Sequence, residues 1–442
     1  MMPRSKTPSF ITELPLKVDS KQNRELEARF NAGLRLYNAC LNEAMVRVRL
    51  IRESELYCRA KAMPRTVKGK PNAKRKKAFN EAWKAYRFSE YDLHAYAKNV
   101  ANGSNWIAQK VDANTQQKIA TRAFNAAKKV LLGQARKVRF KGASQFSSME
   151  GKSNKQGLRW KNEQVVWCGL NIAPIIDLNE PVIKHGIESP VKYVRILWRV
   201  LNGKKRWFVQ LIHEGTPYQK PNNVVGDGVI GLDLNISNVA IVGDSHADLL
   251  PFAEKVPSYD REIKAIQRRM QRSQRVNNPD CYESNFEARR GRKKVTKKGK
   301  FINGKRAKVR SKRYQKDAAK KREIQRRKAA YTKSQNRGLV NKVLQHGKHI
   351  KTEKVSVRGW QKRWGKAIAS KSPGLFQSEL KRKAASAGGS FVEFSTRRTA
   401  LSQTHLDGTR IKKSRSQRVH RDLSGFEAHR DLWSANKREI RK

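Results

Sequence analysis

The chain has 442 residues, with 98 Lys+Arg against 37 Asp+Glu and a formal net charge of +61 at pH 7. Self-repulsion on that scale strains a compact state standing alone, so a polyanion is the expected partner. Hydrophobic content of 38%, with nine Trp and fifteen Phe, excludes wholesale disorder, and the length allows two or three domains.

A 20-base-pair duplex carries about 40 phosphates, so the charge excess points to a large partner or to two nucleic acids held at once. Cys40, Cys58, Cys168 and Cys281 lie far apart with no paired spacing. That argues against a cysteine zinc site or a disulfide framework and fits a reducing compartment. No apolar run reaches transmembrane length, and the start lacks a signal-peptide apolar region, so a soluble cytoplasmic protein with no membrane partner is expected.

In chain order, TPSFITELPLKV reads as one or two short strands. From Glu25, the apolar positions Leu26, Phe30, Leu34, Tyr37, Leu41, Met45 and Val48 recur every three or four residues and predict a long amphipathic helix. A basic loop follows around MPRTVKGKPNAKRKK, where Pro and Gly break the period. Helical patterning resumes in KAFNEAWKAYRF and in NTQQKIATRAFNAAKKVLL, with Gly133 as its stop. Beyond Arg136 the texture is β: QVVWCGLNIAP, PVKYVRILWRVL and KRWFVQLIHEG, the last two joined by the hairpin signal Asn202-Gly203. These strands and the N-terminal ones suggest a small barrel or sandwich interrupted by the helical segment, with TPYQKPNN as a linker.

A new domain begins near Val224, where VVGDGVIGLDLNISNVAIVGDSHADLL reads as a glycine-bounded hairpin carrying Asp233 in its first strand. Residues 259–345 are helical and very basic; residues 288–315 are so poor in apolar anchors that disorder without nucleic acid is expected there. HIKTEKVSV and SFVEFST read as strands on either side of a helix, PGLFQSELKRKAASAGG, closed by Gly388-Gly389. The polar tail from Thr396 ends in a short helix, AHRDLWSANKREI. Trp106, Trp160, Trp360 and Trp364 are available for stacking. Trp360 and Trp364, flanked by Arg358, Lys362, Arg363 and Lys366, are the best candidates to meet a nucleic-acid backbone or base.

Against so basic a background, three acidic residues stand out: Asp233 in GVIGLDLNIS, Glu353 in HIKTEKVSV and Asp431 in HRDLWSAN. A two-metal phosphodiesterase needs such a set, because two hard cations about 3.5–4 Å apart take carboxylate ligands. RNase H-like folds supply them from a first strand, a later strand and a C-terminal helix, which is the order here. Each residue also has a structural reading: a turn carboxylate, a strand residue paired with Lys351, and a helix-start residue offsetting the dipole. Spacing alone leaves both readings open.

Sequence context adds a resemblance. IGLDLNISNVAIV, with Asn238, Val239 and Ala240 after the Asp, is similar to the first RuvC motif of the TnpB transposon-encoded nucleases and related compact type V CRISPR effectors. IKTEKVSVRGW, with Gly359, resembles their second motif, and TALSQT followed by HRDLWSAN resembles their third region. QRRMQRSQRVNNPDCY resembles their Arg-rich helix, and ARKVRFKG the basic element that returns the chain to the barrel. The resemblance covers the C-terminal half closely and the N-terminal half loosely.

The resemblance implies an α+β multidomain fold. Residues 1–24 and 138–222 would form a β-barrel wedge domain interrupted by a helical recognition lobe at 25–137. An RNase H-like (RuvC) α/β nuclease domain would follow at 223–395, with a basic helical insert at 256–345. A degenerate zinc-ribbon-like insert at 396–428 would precede the C-terminal helix at 429–442. The implied activity is RNA-guided cleavage of target DNA, double- or single-stranded, with Mg²⁺ or Mn²⁺ as two ions on Asp233, Glu353 and Asp431. Arg136, Lys137, Arg139, Lys141, Arg268, Arg269, Arg272 and Arg430 join the tryptophan cluster as expected nucleic-acid contacts, to guide RNA and DNA. Relatives carry two cysteine pairs in the ribbon; the equivalent positions here are His405, Asp407, Asp422 and Ser424. That set is poor for a closed zinc site, so zinc is not expected. His420 and His429 are read as phosphate-facing or surface residues. Two other readings stand beside the nuclease: guide-dependent DNA binding without cutting, and a basic RNA-packaging protein.

Overall fold

The computed structural model describes residues 8–395, 400–414 and 417–440. Residues 1–7, 396–399, 415–416 and 441–442, which belong to the expected wedge, insert and terminal helix, lie outside the described residues. The chain divides into two compact units, residues 1–218 and 219–442. No described helix is long and apolar enough to cross a membrane.

The first unit opens with strand β1 (Ser9–Pro15) and helix α1 (Ser20–Glu53). Asp19 caps α1 through a reciprocal capping box with Gln22, which sets the helix start five residues before the apolar period begins. Then come α2 (Glu55–Ala62), the two-residue strands β2 (Thr66–Val67) and β3 (Lys70–Pro71), and α3 (Ala73–Ala85). Next are α4 (Glu90–Asn102), α5 (Asn105–Lys110) and α6 (Ala113–Leu131). The basic loop of the sequence reading is thus a tight hairpin, because Gly69 and Lys68 both adopt positive φ.

Strands β4 (Ser148–Glu150), β5 (Arg159–Lys161), β6 (Gln164–Trp167) and β7 (Leu170–Ile172) lead to α7 (Pro181–Glu188) and the long hairpin β8 (Val191–Leu201) and β9 (Lys204–Glu214). Asn202 (φ 50°) and Gly203 (φ 76°) make its turn, as their sequence predicts. The strands form a four-stranded sheet, β1-β9-β8-β4, and a three-stranded one, β5-β6-β7.

No closed barrel forms among the described residues, which corrects the expectation of a barrel wedge. Closure requires the last strand to hydrogen-bond the first. Here β1 and the three-residue β4 remain opposite edges, and helices cover the sheet instead. Phe30 of α1 packs edge-on against Trp207 (5.0 Å) and Phe146 (6.2 Å). The buried Arg29 ties α1 to the β6–β7 turn by donating to the carbonyls of Trp167 and Cys168. Asp112 caps α6 and also accepts from the Trp167 indole at 2.8 Å.

In the second unit, β10 (Val229–Leu234), β11 (Asn238–Gly243) and β12 (His246–Pro251) form an antiparallel meander, one strand more than the hairpin expected. Helix α8 (Asp260–Asn277), the hairpin β13 (Phe286–Arg290) and β14 (Lys293–Lys297), and α9 (Lys312–His346) follow. The hairpin occupies the first part of the stretch expected to be disordered. Its backbone pairing needs no apolar side chains, and Asn278 anchors the following segment by exchanging two hydrogen bonds with Val309.

The chain continues through β15 (His349–Glu353), α10 (Val357–Lys371), α11 (Pro373–Ser386) and β16 (Phe391–Phe394). Short strands β17 (Val419–Arg421) and β18 (Glu427–His429) precede α12 (Arg430–Ile440). The central sheet runs β12-β11-β10-β15-β16, with β10, β15 and β16 mutually parallel where they pair. Ile230, Leu232, Leu234 and Ile350 enter a core with Val340, Val343 and Leu344 of α9 and Phe376 and Leu380 of α11.

Candidate functional site

The register of the central sheet positions two of the carboxylates. Val229 pairs with His349 and Leu232 with Thr352, a constant offset that brings Asp233 level with Glu353 on adjacent parallel strands about 4.8 Å apart. Leu232 and Ile350 point into the core under α9 and α11. Strand alternation therefore turns Asp233 and Glu353 to the opposite face, where Asp233 neighbours the small residue Ala240. Both are partly exposed. Helix α12 packs against β10, β11 and β15, and its first turn carries Asp431, which is buried. An acidic residue there is stabilised by the helix dipole. His429 stands beside it, with Nδ1 4.0 Å from Asp431 Oδ2 and accepting from the Asp431 amide at 3.3 Å. Among the described residues the three carboxylates do not make a set with all ligand atoms within 4.8 Å of one another.

The insert between β16 and α12 holds a second cluster. His405, His420 and Asp422 are all buried, with ligand atoms within 4.8 Å of one another. Asp407, one of the four positions expected to correspond to ligands, turns outward to bond Thr409. Ser424 bonds the carboxylate of Asp422. His420 is fully buried, which corrects its reading as a surface or phosphate-facing residue. His429 is only partly exposed, against Asp431. The sequence signal for His420 was available in His420-x-Asp422, a two-residue spacing that starts in β17 and ends just past it.

Among the described residues the cluster supplies three ligands where a closed zinc site takes four. Asp422 already accepts from His405 Nδ1 (3.2 Å), the Leu406 amide (2.9 Å) and the hydroxyl of Ser424 (2.7 Å). The Lys413 ammonium lies 3.0 Å from His420 Nδ1, and a cation at that distance opposes a second one bound to the same ring. Burial, then Lys413 and His405, push the His420 imidazole down to about 4, with Asp422 acting against them. Burial opposes the charge of Asp422, but its hydrogen bonds from Ser424, Leu406 and His405 outweigh it and hold the carboxyl below its usual range.

The insert grips α12 directly. The His420 ring stacks on Trp433 at 4.0 Å, and the Trp433 indole donates to the Thr404 carbonyl at 3.0 Å. Trp433 lies two residues beyond Asp431. Arg430 donates to the Ser414 carbonyl (2.9 Å), so its guanidinium fastens this loop.

The remaining candidate contacts fall in different settings. Arg136, Lys137 and Arg139 are exposed. Lys141 is partly buried over Tyr37 and Phe146, and burial, with Arg122 nearby, lowers its ammonium to about 8. On α8, Arg268 and Arg272 are exposed, whereas Arg269 pairs with Asp317 at 2.8 Å. Helix α10, starting four residues after Glu353, displays Arg358, Lys362, Arg363 and Trp364 in the open, while Trp360 leans on the core.

No family profile and no curated protein matches the chain. Among solved structures, a chain of the Cas12f1–sgRNA–target DNA complex aligns over 98% of this chain and 99% of its own length, at 10% identity and a TM-score of 0.44. A chain of a CRISPR–Cas12f ternary complex aligns over 96% and 86%, at 11% identity and a TM-score of 0.27.

Proposed function

We propose that the chain is a metal-dependent endonuclease of RNase H-like, RuvC-like architecture that cuts DNA under the direction of a bound guide RNA. One observation carries this reading: the register that sets Asp233 level with Glu353 in a sheet against which α12, the helix of Asp431, packs. Strand, strand and terminal helix are the three sources from which RNase H-like folds draw their carboxylates. The sequence resemblance to the TnpB and compact type V effectors and the charge of +61 favour two nucleic acids as partners, a guide RNA and its DNA target.

The donor set suits divalent Mg²⁺ or Mn²⁺, since all three groups are hard oxygen ligands. Asp233, at the centre, would be shared by both ions, with Glu353 and Asp431 each completing one. Such ions supply an activated water and charge stabilisation on the leaving oxygen. Around them, the exposed cations of α10 beside Glu353 hold the phosphodiester backbone, and Trp364 offers a stacking face. The insert orients α12 through Trp433 and Arg430 and needs no zinc for it.

The test begins with protein co-expressed with its flanking DNA. Discrete copurifying RNA is expected, and Mg²⁺-dependent cleavage of a matching DNA should follow. Asp233→Ala should lower cleavage at least about 1,000-fold, the scale of several kcal/mol of lost charge stabilisation, while RNA retention is unchanged. Undiminished cutting by that variant would remove the catalytic assignment. RNA retained with no cutting by the wild type would leave a guide-dependent binder.

A further inference from the structure

We propose that a groove in the first unit, between α2, α3 and the end of α6, is a binding site for an unpaired nucleotide. The groove is open and about 1010 Å³ in volume, at the upper end of the roughly 300–1,000 Å³ of ordinary small-ligand sites. Three aromatic rings line it: Tyr57, Phe79 and Trp83, with Tyr57 and Phe79 edge-on at 5.3 Å. Five cations share the lining, Arg52, Lys61, Arg65, Arg75 and Lys76, and no carboxylate does. Arg75 is held in place, its Nε donating to the Ala60 carbonyl at 3.2 Å while its guanidinium stands 5.0 Å from the Phe79 centroid. Lys61, Arg65 and Lys76 project into solvent. The Trp83 Nε1 is buried without an acceptor among the described residues, an indole donor left over by the fold.

Aromatic faces with surrounding cations are what a base and its phosphates require: stacking on one side, charge on the other. A duplex keeps its base faces inside its own stack and has no use for the rings. A simple anion would use the cations and leave the rings idle. The ligand is therefore single-stranded nucleic acid, whether RNA or DNA. The inference needs only a base-bearing polyanion and stands whether or not the carboxylates of the second unit cut DNA.

The full-length protein is titrated by fluorescence anisotropy with a short single-stranded RNA, the matching DNA strand and a duplex of equal length. Photocrosslinking with 4-thiouridine or 4-thiothymidine strands is read by mass spectrometry. Crosslinks at Tyr57, Phe79 or Trp83 are expected, and the more efficient strand identifies the source. Phe79→Ala should weaken single-strand binding about 5- to 150-fold, the scale of one lost stacking contact, with duplex binding changed less than about threefold. Because Phe79→Ala touches partly buried structure, Lys61→Glu/Arg65→Glu/Lys76→Glu, at exposed positions only, provides the second arm and should show the same selectivity. Equal losses for strand and duplex in the triple variant, or crosslinks mapping only outside α2, α3 and α6, would overturn the proposal. Crosslinking that survives Asp233→Ala separates this site from the nuclease reading.

Discussion

Asp422 and His420 sit together in the insert and answer protons differently. Asp422 is held below its ordinary value, so its contribution to stability is present above pH 4 and fades only in stronger acid. His420 is depressed from 6.5 to about 4. Above pH 6.5 it is neutral folded or unfolded and contributes nothing. Between 6.5 and 4 the unfolded chain takes up a proton that the folded ring, crowded by Lys413 and His405 and only partly relieved by Asp422, refuses, so stability falls. Between pH 7.5 and 4.5 the melting temperature of the wild type should therefore drop more steeply than that of His420→Phe, which keeps the ring on Trp433. Parallel profiles would remove His420 as the titrating group. Thiols divide by exposure: burial pushes Cys40 up to about 12 and Cys281 is buried, whereas Cys58 and Cys168 are exposed, with the Cys168 thiol also raised by partial burial and by Asp112. Mass spectrometry after brief maleimide treatment should find two labels on the native chain and four in denaturant.

The expected behaviour of whole elements follows from what fastens them. Helix α12 carries Asp431 and is anchored by Trp433 and Arg430 to the insert, whose interior holds the hydrogen-bonded carboxylate of Asp422. Purified protein should hold substoichiometric zinc by elemental analysis, and chelators should leave its melting temperature unchanged. Asp422→Ala should destabilise it by about 1–3 kcal/mol, because it strands buried donors. One equivalent of zinc lost together with stability would reverse this account. Strand β16 depends on close backbone approach: a Cβ on Gly389 would lie 2.2 Å from the Lys348 carbonyl oxygen at the entry to β15. Gly389→Ala should cost roughly 1–3 kcal/mol in a denaturant titration, since the obstacle is backbone and cannot swing aside.

Across the whole molecule the dominant quantity is charge. With +61 on 442 residues, binding to any nucleic acid should be strongly salt-dependent. If six to ten phosphates are engaged, affinity should fall about 10³- to 10⁵-fold between 50 and 200 mM salt, and anisotropy titrations across that range measure the slope. A shallow slope would mean that most of these cations face solvent rather than ligand. Raising polyanion concentration should also raise the melting temperature, because a ligand that binds only the folded state shifts the equilibrium by mass action.

Local order was readable where periodicity and turn chemistry speak for themselves. The apolar repeat from Leu26 foretold α1, and Asn202-Gly203 foretold the β8–β9 turn, because both signals act within a few residues. The order of the three carboxylates along the chain was equally plain. The placement of Asp233 and Glu353 on one sheet face was not, since it depends on pairing between strands more than a hundred residues apart. For the same reason the sequence suggested a barrel where the chain builds open sheets roofed by helices: nothing local states which edge a strand will meet. His420 looked like a surface residue until folding brought it under Trp433 and beside His405. The sequence alone determined a large positive charge, the local elements and a candidate set of acidic residues, since these depend on composition and short-range spacing. Only the tertiary structure decided which side chains converge, because convergence depends on long-range register and on what burial leaves room for.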